Sequence, residues 1–177
     1  MKNLFIGLIF ITFNFNLTLD NSVIGLFPDW LGYLFLIRGL TEMVSESGHF
    51  ARVKPLSVGM AVYTAVLYVA DLLGLSLALG YAAMALGFLS TGISLYILFH
   101  IVQGVIDMER ERQWPLNGAS LFAMWQVMAV CNILSYVLLL IPPLGIISLL
   151  VCTVVHILFL SAFYKARRNY ETARFGG

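Results

Sequence analysis

Residues 144–164 read LGIISLLVCTVVHILFLSAFY, and residues 165–168, KARR, follow at once. The run holds no Asp, Glu, Lys or Arg. At about 1.5 Å per residue, a helix of this length crosses the roughly 30 Å hydrocarbon core of a bilayer. The basic residues after it read as a snorkelling anchor, with their stems along apolar surface and their charges at the interface. A segment built this way identifies the solvent of the chain as lipid.

The same pattern recurs upstream. Candidate spans lie near 3–19, 26–43, 56–78, 81–106, 117–141 and 144–164, six in all. The last four are uninterrupted. Asn14, Asn16, Asp20, Pro28 and Asp29 break up the region of the first two. Pro28, Pro55, Pro115 and Pro143 each fall near an expected helix start, where a missing N–H is harmless. Trp30, Tyr81 and Trp114 fall near expected interfaces. Composition agrees: 60% of the 177 residues are hydrophobic and 11% charged, against about 25% charged in soluble domains. The expectation is an all-α, single-domain polytopic membrane protein of about six transmembrane helices, with 165–177 as a basic cytoplasmic tail.

If the helices alternate, all ten basic residues belong to one side. Lys2 precedes the first span, Arg38, Arg52 and Lys54 lie in or after the second, and Arg110 and Arg112 follow the fourth. Lys165, Arg167, Arg168 and Arg174 follow the sixth. Cytoplasmic loops are enriched in Lys and Arg, so both termini are expected in the cytoplasm. The loop 44–55, with Glu46, His49, Arg52 and Lys54, is expected on the membrane surface. Lys2 and the apolar stretch Leu4 to Phe13 could open a signal peptide, but no alanine precedes Ala51 and no small-residue cleavage site follows. The stretch reads as a retained first helix.

Several functions are disfavoured. A net charge of +1 argues against nucleic acid, whose phosphates call for excess Lys and Arg. Cys131 and Cys152 sit in apolar runs and read as space-filling thiols. Motifs for zinc proteases, serine hydrolases and P-loop nucleotide binding are absent, and neither a metal nor another cofactor is expected.

Ionisable groups within a membrane are costly, so each needs an account. Thr64, Tyr68 and Asp71 are spaced four and three apart, which sets them on one stripe of the third span toward its outer end. A carboxylate so placed could ligate a cation or an amine, or titrate; equally, it could be an interfacial residue. Asn14, Asn16 and Asp29 lie where the first two spans are broken, and such breaks often mark binding sites. With Asp71 they would make the outer mouth anionic and favour a small polar or cationic solute. The plainer alternative for Asp29 is the acidic first turn of an ordinary helix.

On the inner side, Tyr96, His100, Gln103 and Asp107 form a polar stripe on helix four. His100 and His156 fall about 9 Å and about 12 Å from the cytoplasmic ends of their helices. A pair at matching depth could ligate haem axially, pass protons, or bond structurally between helices. Arg38 and Glu42 are one turn apart and read as charge neutralisation or snorkelling. Ala83, Gly87 and Thr91, four apart, read as a close-packing stripe or a docking face for a partner subunit.

The stretch Leu26-Phe27-Pro28-Asp29-Trp30-Leu31-Gly32-Tyr33, with Arg38-Gly39-Leu40 and His49-Phe50-Ala51-Arg52, resembles an uncharacterised group of small bacterial membrane proteins. That resemblance implies a bacterial cytoplasmic membrane and no known activity. In size and helix count the chain also resembles the substrate-binding components of energy-coupling-factor vitamin transporters. It lacks the alanine motif that those proteins tend to carry on helix one.

Three functions follow as expectations. The first is a small-molecule or ion transporter, or its membrane-embedded binding subunit. The second is a non-catalytic scaffold or regulator, acting through a partner membrane subunit or a homo-oligomer. The third is a haem- or quinone-linked electron carrier. An enzyme is not expected.

Overall fold

The computed structural model describes residues 1–12, 16–19, 22–25, 28–73, 81–138 and 141–175. Six helices and one hairpin follow in order: α1 (Lys2–Thr12), β1 (Asn16–Leu19), β2 (Ser22–Gly25), α2 (Asp29–Met43), α3 (Gly48–Leu72), α4 (Tyr81–Arg112), α5 (Gly118–Leu138) and α6 (Pro142–Phe175). Helices α3 to α6 are each long and apolar enough to cross a membrane, and the chain is a polytopic membrane protein. Most of each apolar run points outward, with Val62, Val130 and Leu150 on the surface. Apolar outward faces are what lipid requires.

The first two spans differ from the expectation. The helix expected over 3–19 ends at Thr12, and 16–19 is a strand. Phe13 to Leu19 alternates apolar and polar residues with period two, which is the signal of a strand. Asn16 to Leu19 pairs antiparallel with Ser22 to Gly25, Leu19 opposite Ser22. The helix expected from 26 begins at Asp29, because Pro28 holds an extended N-cap conformation (φ −64°, ψ 125°). Proline also disfavours helical geometry in the residue before it. With 11 and 15 residues, α1 and α2 extend about 16 Å and 22 Å. Neither alone matches the hydrocarbon thickness.

Other boundaries move too. Helix α3 starts at Gly48, not near 56, because Ser47 caps it by accepting from the His49 N–H at 3.3 Å. Pro55 therefore lies inside the helix, and the expected loop 44–55 shrinks to 44–47. The expected tail is a continuation of α6. Phe163, Ala166 and Tyr170 repeat at helical spacing and are buried, so burial on one face carries the helix past the basic cluster. Arg167 and Glu171 pair at 2.8 Å beside that face.

Each helix packs on the next in sequence, and α6 closes onto α1, so the six form a ring; β2 lies against α3. Glycines set the tightest seam, between α1 and α2. A Cβ on Gly39 would lie 2.5 Å from the Leu4 backbone nitrogen, and one on Gly7 would lie 2.7 Å from the Gly32 carbonyl oxygen.

Burial within the ring is uneven. The fully buried side chains Leu4, Leu40, Met43, Phe50, Val53, Val105, Met108, Leu116, Leu121 and Phe163 cluster at the end that carries the basic residues. Polar ties cross the same end. Arg112 meets Glu46 at 2.7 Å and stacks over Trp114, whose ring abuts Tyr170. Glu109 accepts from the backbone N–H groups of Asn117 and Gly118, at 3.1 and 2.6 Å, at the start of α5. Toward the other end the ring encloses space.

Candidate functional site

That space is a cavity of about 290 Å³ whose walls come from all six helices. Its polar groups are Thr12 from α1, Asp29 and Tyr33 from α2, Thr64 from α3, Ser90, Thr91 and Ser94 from α4, Asn132 and Tyr136 from α5, and His156 from α6. Their positions follow from helical spacing: Asp29 and Tyr33 are four apart, as are Ser90 and Ser94, and Asn132 and Tyr136. Among the described residues, no Lys or Arg lines the cavity. A second polar space of about 310 Å³ shares Thr12, Thr91, Asn132, Tyr136 and His156 and continues toward Ser135, Cys152 and Thr153.

The hydroxyls on the walls are mostly committed. Tyr33 and Ser94 share a hydrogen bond at 2.7 Å, and Thr91 and Tyr136 share one at 2.8 Å. Ser94, Thr91 and Thr64 also donate back to the carbonyls of Ser90, Gly87 and Met60. Such bonds satisfy a donor within the helix and leave oxygen lone pairs toward the space.

Among the described residues, His156 is the one aromatic base in the wall. Its Nδ1 lies 2.7 Å from the Cys152 carbonyl oxygen, which can only accept, so Nδ1 carries the proton. Nε2 is then the lone-pair nitrogen, 3.4 Å from the Asn132 amide nitrogen. That amide also donates to the Met128 carbonyl at 2.8 Å. With the Asp29 carboxyl also in the wall, the cavity is rich in acceptors. A guest that donates hydrogen bonds or bears positive charge complements it.

The expected site residues separate into three groups. Asp29, Thr64 and His156 line the cavity together. Tyr68 and Asp71 continue the Thr64 stripe on α3, half-buried, and do not line it. Asn14 lies outside the described residues, as does Asp20, and Asn16 is described only as backbone of β1.

The inner stripe is a separate cluster at the basic end. His100 is buried, and its Nδ1 lies 2.7 Å from Nδ1 of His49, so one of the two imidazoles donates there. The Asp107 carboxylate accepts from the Ser47 hydroxyl at 2.8 Å and lies 3.6 Å from His49 Nε2. Tyr96 packs edge-on against His100 while its own side chain is largely exposed, and Gln103 is half-buried. His100 and His156 thus have separate partners, His49 for one and Asn132 with Cys152 for the other. Arg38 and Glu42 form an exposed pair at 3.7 Å.

Sequence reasoning passed over Tyr33, Ser90, Ser94, Asn132 and Tyr136. The signal was available in Asn132 and Tyr136, two polar groups four apart within an apolar helix. Ser90 and Ser94 were hidden in a small-residue run that also suits close packing.

Comparison with protein-family models, with curated proteins and with solved structures finds no match. The resemblance of the first third to small bacterial membrane proteins therefore gains no family assignment.

Proposed function

We propose that the chain binds a small polar or cationic solute in the six-helix cavity, as a transporter or as the membrane-embedded binding subunit of one. The observation that carries this reading is convergence: all six helices contribute polar groups to one space. Buried polar groups in a bilayer are costly unless they pair with each other or with a guest. The volume lies at the lower end of the range for small-molecule sites.

The orientation we propose puts the basic end in the bacterial cytoplasm. A short α1 and α2 do not disturb that argument. A helical pair that enters and returns leaves parity unchanged whether or not it crosses fully, so Lys2, Arg52, Arg110 and Lys165 stay on one side. The cavity then faces the outer half of the membrane.

The test is calorimetric titration of the protein in lipid nanodiscs with methylammonium as the probe cation. Asp29→Asn removes the charge while keeping the shape, and should weaken binding about tenfold or more, the loss of one charge-assisted contact. Asp71→Asn, outside the cavity, should leave the affinity unchanged. Binding that Asp29→Asn leaves intact, or no saturable binding at all, would overturn the reading.

A further inference from the structure

At the basic end, away from the cavity, two imidazoles meet where α3 joins α4. His49, in the first turn of α3, and His100, buried on α4, bring their Nδ1 atoms to 2.7 Å. On its other side His49 Nε2 lies 3.6 Å from the half-buried Asp107 carboxylate. That carboxylate accepts from the Ser47 hydroxyl at 2.8 Å, and the Ser47 oxygen accepts the His49 N–H that opens α3. Asp107, His49 and His100 therefore form one chain of contacts, from the rim of the bundle to a buried nitrogen. Arg52, three residues after His49, acts on His100 through its charge. The other neighbouring charges are committed: Glu46 to Arg112 at 2.7 Å, and Arg38 to Glu42 at 3.7 Å on the exposed side of α2. Helix α5 carries no Asp, Glu, Lys, Arg or His at all. The rings of Tyr96 and Phe99 stand edge-on to His100 and cover it. Among the described residues no hydrogen bond leads from His100 toward the cavity, since Ser94 is bonded to Tyr33 and to the Ser90 carbonyl.

We propose that His49 and His100 are a proton-operated latch between α3 and α4, closed while one proton lies between the facing nitrogens and opened when each nitrogen carries its own. This does not rest on the cavity reading. A contact between two imidazole nitrogens at 2.7 Å is a hydrogen bond only if one donates and the other keeps its lone pair. One added proton is compatible with that bond. It completes the His49 ring, whose Nε2–H then faces Asp107 while its Nδ1–H donates to His100, so both contacts become charge-assisted. A second added proton has only His100 Nδ1 to go to. Two N–H groups and two positive charges would then face each other, with Arg52 adding a third charge, and the contact breaks. The consequence follows from what the latch holds. His49 is tied through Ser47 to Asp107, so release at His100 frees the first turn of α3 from the inner part of α4. Because the chain of contacts stops at His100, the arrangement holds protons and does not hand them on.

The chain has three histidines, so their titration can be followed ring by ring. The experiment is solid-state nitrogen NMR of the full chain in lipid bilayers, isotope-labelled in its histidine rings. The pH runs from about 8 to about 4, across the ordinary histidine value of about 6.5. Nitrogens that carry a proton and nitrogens that keep a lone pair are resolved by their shifts. His49→Asn and His100→Asn assign the signals. The expected result is two steps separated by more than about tenfold in proton concentration, as for coupled sites. In the first, one ring of the pair becomes imidazolium while the other keeps a lone-pair nitrogen. In the second, both are imidazolium and the magnetisation transfer between the two Nδ1 atoms is lost. In either variant the remaining ring should titrate in one step. Amide exchange at the start of α3, corrected for its intrinsic pH dependence, should rise about tenfold at the second step, the loss of one hydrogen bond. The wild-type titration and exchange stand without the variants if these fold poorly. Both rings becoming imidazolium while the Nδ1 contact persists would overturn the latch. So would two independent single steps, or a second step with no faster exchange.

Discussion

The two ends of the helical ring are built from different materials. At the basic end, Leu40, Met43, Phe50, Val105, Met108 and Phe163 are fully buried, and ion pairs and capping bonds tie the turns together. At the other end the same helices present Ser90, Thr91, Ser94, Asn132, Tyr136 and His156 to a space they do not fill. Both ends are formed by continuous helices, so secondary structure does not distinguish them. What differs is how the side chains meet. The dense end holds the ring in register, while at the other end polar groups bond in pairs around a space of about 290 Å³. On the proposed function, stability and binding fall to opposite halves of one bundle.

Three substitutions would break or sharpen this contrast, the largest first. Gly39→Val forces a side chain against the Leu4 backbone nitrogen, 2.5 Å from where a Cβ would stand, and backbone cannot yield cheaply. It should cost about 3 kcal/mol and separate α1 from α2, measured as a fall in the thermal midpoint in nanodiscs. Unchanged melting would show that the basic end is looser than its packing suggests. Arg112→Ala leaves the buried Glu46 carboxylate without its cation and strips the face of Trp114. Because Arg112 is itself about half exposed, water softens the loss, and about 2 kcal/mol is expected in the same assay. Thr64→Val keeps shape in the cavity wall but removes a hydroxyl already bonded to the Met60 carbonyl. It should change stability by less than about 0.5 kcal/mol, while methylammonium affinity falls measurably in calorimetry. A large destabilisation instead would place Thr64 with the structural half.

Much of the fold was legible from period and charge. Helices α3 to α6 announce themselves as long apolar runs, and the clustering of Arg110, Arg112, Lys165 and Arg167 just past those runs suggests a common side. The first third was misread for a physical reason. Phe13 to Leu19 follows directly on the apolar run of α1, and a window that averages over both hides the alternation that makes 16–19 a strand. Ser47 hid the start of α3, since a capping serine looks like any loop residue until the His49 N–H is seen to point at it. Within the site, Asp29, Thr64 and His156 could be singled out because polar groups in apolar helices are conspicuous. Their convergence with Tyr33, Asn132 and Tyr136 could not, because it depends on how each helix is rotated.

The sequence by itself determined that lipid is the solvent, that there are long apolar helices in the last two thirds of the chain, and where along the chain the positive charge lies. Those properties are sums over neighbouring residues and survive any arrangement of the helices. Only the tertiary structure decided that His100 pairs with His49 while His156 faces Asn132, and that Asp29 rather than Asp71 lines the cavity. Those are relations between helices far apart in the chain. The close approach of α1 and α2 at Gly7, Gly32 and Gly39 and the closure of α6 onto α1 are of the same kind, and no local pattern encodes them.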